Sequence, residues 1–128
     1  MRYNLKTTFK AIAAIFVLVF ALSTLTACAD QKMDMSTVTA VIDVRTPAEI
    51  AETGHLEGAL TFDWQGSDFA AQAEALDKAG DYVVYCRSGN RAGQAIAWME
   101  QNGFTGKLTN GGGLADAESL TGLAVVNG

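Results

Sequence analysis

The sequence predicts an α/β domain built on a mostly parallel sheet. Segments typical of buried strands alternate with amphipathic segments typical of helices, and short loops join them. The strongest strand signal is the continuous aromatic and β-branched run at 82–85 (YVVY), and a helical pattern follows it at 91–101. Parallel strands end at the same edge of a sheet, and α/β proteins bind their ligands at that edge.

The individual elements follow from their residue types. The apolar, β-branched run at 38–44 predicts the first strand, and Thr46 with Pro47 is a typical start for a short helix that Gly54 ends. Residues 54–59 predict a turn, and 60–62 a short strand. The other predicted elements are a helix at 67–79, a strand at 82–85, a helix at 91–101, a strand at 107–109, a turn at 111–113 and a helical turn at 118–120.

The N-terminal segment has the features of an export signal. Three basic residues, Arg2, Lys6 and Lys10, precede an unbroken apolar run at 11–22. A membrane-spanning helix needs about 20 apolar residues, so this run fits the core of a signal peptide better. An uncleaved anchor helix is the alternative, and both interpretations place the domain on the far side of a membrane.

The end of this segment resembles the lipobox of bacterial lipoproteins, Leu25-Thr26-Ala27-Cys28. The resemblance implies a lipoprotein signal peptide at 1–27 and an acylated Cys28 as the lipidation site. It therefore implies an exported protein, anchored to a membrane by lipid and facing the periplasm or the cell exterior. Residues 28–37 then form the lipidated cysteine and a polar linker, and 38–128 the folded domain.

Charge and composition exclude several functions. After the basic N-terminal segment, six basic residues stand against all 14 acidic ones, so the domain should repel nucleic acid. One histidine and two separated cysteines do not make a metal site, and no cofactor is implied. Any anion must therefore be bound locally, by a few arginines or backbone amides.

The segment after the 82–85 strand has the features of such an anion site. It reads Cys86-Arg87-Ser88-Gly89-Asn90-Arg91, a polar loop that opens a helix. Gly89 permits a left-handed turn, and the first amides of a helix have no partner within it. These amides, the helix dipole and two arginines all favour a thiolate at Cys86 and an anion beside it.

An ionised sulfur beside an anion site predicts covalent chemistry. An anionic sulfur donor, such as thiosulfate, would present its outer sulfur to Cys86 while Arg87, Arg91 and the loop amides stabilise the departing sulfite. The resulting Cys86 persulfide would pass sulfur to a second nucleophile. The competing interpretation is a buried, inert cysteine in a turn.

Four segments, in order, resemble the single-domain form of the rhodanese, or thiosulfate sulfurtransferase, family. They are Asp43-Val44-Arg45, residues 54–59 (GHLEGA), residues 86–92 (CRSGNRA), and Gly112-Gly113 with 122–125 (GLAV). The resemblance implies a rhodanese-like, mostly parallel five-stranded central sheet flanked by helices. It implies a persulfide on Cys86, basic loop positions at Arg87 and Arg91, and a backbone cradle from Ser88, Gly89 and Asn90. It implies supporting roles for Asp43, Arg45 and His55, and a thiol, cyanide or protein as sulfur acceptor.

Two other functions stay open at this point. A phosphatase or arsenate reductase on this fold has a Cys-x₅-Arg loop, whereas four residues separate Cys86 from Arg91 here. The shorter loop suits a single sulfur atom better than a tetrahedral phosphate. A sulfur carrier or binding module without turnover is the second alternative.

Overall fold

The computed structural model describes residues 32–127, in which four parallel strands form the central sheet, in the order β3-β1-β4-β5. The strands of this sheet are β1 (Ala40–Asp43), β3 (Leu60–Thr61), β4 (Tyr82–Tyr85) and β5 (Leu108–Asn110). The helices are α1 (Pro47–Thr53), α2 (Phe69–Glu74), α3 (Asn90–Gln101) and α4 (Leu114–Thr121). The predicted α/β fold with a parallel sheet is confirmed.

The number of strands in that sheet is four, not the five that the family resemblance implied. The segment predicted as a turn at 54–59 contains β2 (His55–Leu56), which pairs antiparallel with β6 (Val125–Val126). Gly54 has φ +80° and redirects the chain out of α1. Strand β2 is connected to the central sheet by a side-chain hydrogen bond, in which the Leu56 amide donates to the hydroxyl of Tyr85 in β4 at 3.0 Å.

Two helices differ in length from their predictions. Helix α2 ends at Glu74, although the pattern predicts a helix to residue 79. The chain instead forms a turn in which the Asp77 carboxylate accepts from the Ala79 amide and the Asp77 carbonyl accepts from the Gly80 amide. Helix α4 is longer than the predicted turn at 118–120. Its first turn is stabilised by the Asp116 carboxylate, which accepts from the Gly113 amide at 3.0 Å.

Strand β4 lies between two apolar clusters and is buried on both faces. Val84 and Cys86 point toward one cluster, which includes Ala92, Ala95 and Met99 of helix α3 and the side chain of Phe69. Val83 and Tyr85 point toward the other cluster, with Leu56 and Ala117. The alternation of a strand therefore continues through Cys86 and places its side chain under the first turns of α3.

The predicted linker at 28–37 is partly packed against the domain. Met33 donates its amide to the Leu120 carbonyl at 2.8 Å, and a 3₁₀ turn follows at Met35–Thr37. Met33 and Met35 both contact the second cluster. The predicted signal peptide at 1–27 and the lipidation site Cys28 lie outside the described residues. Within residues 32–127, no helix is both long and apolar enough to cross a bilayer.

Candidate active site

The Cys86 sulfur lies in a cradle of backbone amides where strand β4 meets helix α3. Gly89 adopts φ +93° directly before α3, which turns the loop back over the sulfur. A residue with a Cβ adopts such a φ only at a cost, so glycine suits this position. The Gly89 amide donates to Cys86 Sγ at 3.0 Å.

Further amides stabilise the ionised form of the sulfur. The four that act on it belong to Ala92, Ser88, Gly89 and Arg91. Burial raises the pKa of the Cys86 thiol, which is 1% exposed, but these amides together outweigh burial and hold the pKa below its ordinary value. The sulfur thus faces residues 87–92 rather than apolar side chains alone.

The loop is supported from the next strand. Asn110, at the end of β5, donates its side-chain amide to the Gly89 carbonyl and accepts from the Gly112 amide, both at 2.9 Å. The Gly112 carbonyl accepts from the Cys86 amide at 3.0 Å. Gly113 is in close contact as well, because a Cβ there would come within 2.5 Å of the Arg87 carbonyl. The glycine turn predicted at 111–113 therefore fits directly against the sulfur loop.

The two arginines of the loop have different environments. Arg87 is exposed and lines a cavity of about 120 Å³ with Glu49 and Glu52 of helix α1. Arg91 is largely buried, and its Nη2 donates to both Glu49 carboxylate oxygens, at 2.8 and 3.2 Å. Of the two predicted basic loop positions, Arg87 is therefore an exposed guanidinium and Arg91 is held in an ion pair.

Asp43 and Arg45 form a buried ion pair one strand away from Cys86. Arg45 Nη2 donates to Asp43 Oδ2 at 2.6 Å, and Nε donates to both carboxylate oxygens. The same guanidinium donates to the Thr53 hydroxyl and the Gly54 carbonyl, at 2.7 Å each. These bonds tie the end of β1 to the end of α1, so the pair orders the loops beside the cradle.

His55 lies on the small antiparallel pair. Its Nδ1 donates to the Leu56 carbonyl at 2.8 Å. The residue lines a cavity of about 600 Å³ with Arg45, Ile50 and Asp63, whereas Arg87 lines the smaller cavity described above. The structure therefore places His55 with Arg45 and not in the cradle around the sulfur.

Sequence reasoning missed three contributors to this site. The Ala92 amide acts on the sulfur from the first turn of α3, where the predicted helix start already implied free amides. Asn110 and Glu49 contact the loop across 21 and 42 residues of sequence, and no local pattern marks them. Among residues 32–127, no three histidine, cysteine or acidic side chains are grouped so that they could hold a metal ion.

The fold and the site define an α/β protein with a buried cysteine, cradled by backbone amides, at the carboxyl edge of a parallel sheet. The chain belongs to the rhodanese-like family, since a family model described as Rhodanese-like domain matches residues 25–116. The family resemblance drawn from the four motifs is thereby confirmed.

Relatives and solved structures agree with this assignment. A sulfurtransferase of Allochromatium vinosum is 37% identical over 86 residues, which cover 67% of this chain and 77% of the relative. The thiosulfate sulfurtransferase PspE of Escherichia coli is 32% identical over 75 residues, 59% of this chain and 70% of the relative. A solved rhodanese with anions from E. coli superimposes with a TM-score of 0.56 at 29% identity, covering 70% of this chain and 98% of that one.

Proposed function

We propose that this domain transfers sulfane sulfur from thiosulfate or a persulfide to a nucleophilic acceptor through a persulfide on Cys86. The observation that carries the proposal is the Gly89 amide, which donates to the Cys86 sulfur at 3.0 Å. Neighbouring amides of the same loop contribute with it to hold the pKa of this thiol below its ordinary value. The thiolate is the nucleophilic form of cysteine, so this environment favours attack on an electrophilic sulfur. The sulfurtransferases among the relatives support the same reaction class.

The first half-reaction loads the cysteine. The Cys86 thiolate attacks the outer sulfur of thiosulfate, the sulfur–sulfur bond of the donor breaks, and its electron pair leaves with sulfite. Arg87 follows Cys86 in the chain and is exposed, so its guanidinium is the cation that we propose to stabilise this departing anion. The loop amides that stabilised the thiolate then donate to the terminal sulfur of the new persulfide.

The second half-reaction unloads it. An acceptor nucleophile, such as a thiolate, cyanide or a protein cysteine, attacks the terminal sulfur, and Cys86 leaves as a thiolate. The same four amides stabilise this leaving group. If Cys28 is acylated, the chain retains no second thiol, so the acceptor is an external molecule.

Loading is tested by mass spectrometry of the full chain in detergent after incubation with thiosulfate. Cleavage after Lys78 and Arg87 gives a peptide, residues 79–87, that holds Cys86 and no other cysteine. We expect this peptide to gain about 32 Da, one sulfur atom, and to lose it again on addition of cyanide. Turnover of phosphate esters without any such gain would favour a phosphatase, and a gain that no acceptor removes would favour a carrier module.

We also propose that the protein is an exported lipoprotein anchored through Cys28. The support is the sequence at 1–28, a basic start, a short apolar run and a lipobox-like end. When the chain is expressed with its own N-terminal segment, the mature protein should begin at an acylated Cys28 and partition into the detergent phase. A Cys28→Ser variant should stay unacylated, and an acylated product from that variant would refute the assignment.

A further inference from the structure

Glu49 forms an ion pair with Arg91, one of the two arginines that flank the Cys86 loop. Its two carboxylate oxygens accept from Arg91 Nη2 at 2.8 and 3.2 Å. The two side chains are 28% and 16% exposed, so solvent screens this pair less than a surface pair. Within residues 32–127, Arg91 is therefore held in an ion pair, whereas Arg87 is exposed and forms none.

A second nitrogen of the Arg91 guanidinium is buried as well. Arg91 Nη1 is buried without a hydrogen-bond partner among the described residues. The Arg91 backbone amide, in contrast, acts directly on the Cys86 sulfur. Arg91 thus contributes its main chain to the cradle, whereas its side chain is turned toward helix α1.

Sulfur transfer and oxyanion binding make different demands on such a loop. A single sulfur atom is stabilised by a ring of amides, which the loop supplies. A tetrahedral oxyanion presents several oxygens, and the planar fork of an arginine matches two of them. An oxyanion can use Arg91 in this way only if Glu49 releases it.

We propose that Glu49 is a specificity-determining residue of this site. By holding the Arg91 side chain, its carboxylate competes with oxyanions for that cation and restricts the loop to ligands that need mainly its amides. The inference rests on the proposed function of Cys86. It extends that function by explaining how the site would favour sulfane sulfur over sulfate, phosphate or arsenate.

The test measures how well sulfate protects Cys86 from iodoacetamide in the full chain, at constant ionic strength. Alkylation is read on the 79–87 peptide, so Cys28 does not interfere. In Glu49→Gln, which removes the charge, the sulfate concentration that gives half protection should fall roughly tenfold, the gain from one charge-assisted hydrogen bond. Glu49→Asp keeps the charge but withdraws the carboxylate from Arg91, and it should shift in the same direction.

Glu52 provides the matched control. It lies on the same helix and lines the same small cavity near Arg87, and it forms no ion pair with Arg91. Because it is exposed, Glu52→Gln should change protection by less than about twofold. An equal gain in Glu52→Gln, or no gain in Glu49→Asp, would mean that net charge rather than the ion pair sets sulfate affinity, and would overturn the proposal.

A second readout separates specificity from a structural role. If Glu49 only maintains the fold, its replacement should raise KM for thiosulfate, whereas release of Arg91 should lower KM and slow the departure of sulfite. Helix α1 has no buried residue, so neither Glu49 variant is expected to unfold the domain. The mass gain of the 79–87 peptide with thiosulfate is scored separately. Its absence in wild type refutes the proposed function, and unchanged sulfate protection in both Glu49 variants refutes this inference.

Discussion

Two neighbouring loops at the same edge of the sheet treat buried polar groups in opposite ways. The first, at the end of β1, includes the last strand residue Asp43 and Arg45, which are 0% and 3% exposed and form an ion pair. The loop after β4 holds Cys86, which is 1% exposed and has hydrogen-bond donors around its sulfur. Strands β1 and β4 are parallel neighbours, so both loops lie at the same edge of the sheet. They differ in the chemistry of their buried groups.

The difference indicates how structure and reactivity are divided in this domain. A buried charge that is compensated within the protein gains nothing from a ligand, and it stabilises one arrangement of the chain. A ring of donors around a sulfur favours negative charge and therefore a nucleophile. We expect substitutions in the first loop to change stability and substitutions in the second to change transfer.

Replacing the sulfur tests the second loop with the largest effect. Cys86→Ser should reduce persulfide formation and sulfur transfer below detection, because a hydroxyl does not form a persulfide. The variant should fold, since serine is nearly isosteric with cysteine and can accept from the Gly89 amide. Activity is measured with thiosulfate and cyanide, and folding by circular dichroism. Full activity in this variant would refute the assigned nucleophile.

Removing one partner of the buried pair tests the first loop. Asp43→Asn leaves the Arg45 charge without its carboxylate and should lower the free energy of unfolding by about 3–5 kcal/mol, as measured by urea denaturation. The control is Glu74→Gln, because Glu74 forms an exposed pair with Lys78. Glu74→Gln should lower the free energy of unfolding by less than about 1 kcal/mol. Equal stability losses in the two variants would contradict a special role for burial of the Asp43 pair.

The main strands and the helix beside the sulfur could be predicted from sequence because their signals are local. The YVVY run predicts β4 without error, and the predicted helix at 91–101 begins one residue after the observed start. The predicted start of that helix also implied the anion cradle. Strand β1 is shorter than predicted at both ends. The flanking Thr39 and Val44 amides still donate to the carbonyls of Asp81 and Tyr85, at the two ends of β4.

The parts that could not be predicted depend on contacts between distant segments. Strands β2 and β6 have two residues each and lie about 70 residues apart, so neither has a period that a pattern can detect. The Glu49–Arg91 ion pair and the hydrogen bond from Asn110 to Gly89 were not predicted for the same reason, since each joins residues that are far apart in the sequence. Two arginines in a loop predict positive charge, but their partners decide how much of it is available to a ligand.

A pair of glycines in the sulfur loop and its helix gives a smaller, two-sided test. Gly89 has φ +93°, so Gly89→Ala should cost about 1–2 kcal/mol of stability and displace the amide that contacts the sulfur. Gly93 lies within α3, where an added Cβ would lie 3.5 Å from the Asn110 amide, an ordinary contact. Gly93→Ala should therefore stabilise by up to about 1 kcal/mol. Thermal unfolding and transfer rates distinguish them, and the same sign for both would contradict the assigned geometry.

The pH dependence of alkylation tests the cradle without changing a residue. In the folded chain, burial raises the pKa of Cys86, but the four amides outweigh it and hold the pKa below its ordinary value. Unfolding in urea separates these amides from the sulfur. Alkylation by iodoacetamide requires the thiolate, so its rate should reach half of its plateau at a lower pH in the folded protein than in the unfolded one.

The limited access of the reagent to buried Cys86 does not affect the comparison of the two pH midpoints. It lowers the absolute rate in the folded state, since Cys86 is 1% exposed, but the midpoint of the profile depends only on the fraction of thiolate. By linkage, the same shift should stabilise the fold at pH values above the pKa of the unfolded thiol, and this stabilisation should disappear as the pH falls through the folded pKa. The Cys86→Ser variant should lack this pH-dependent part. A midpoint that is higher in the folded chain would mean that burial outweighs the amides, and the sulfur would then resemble the inert, buried cysteine of the alternative interpretation.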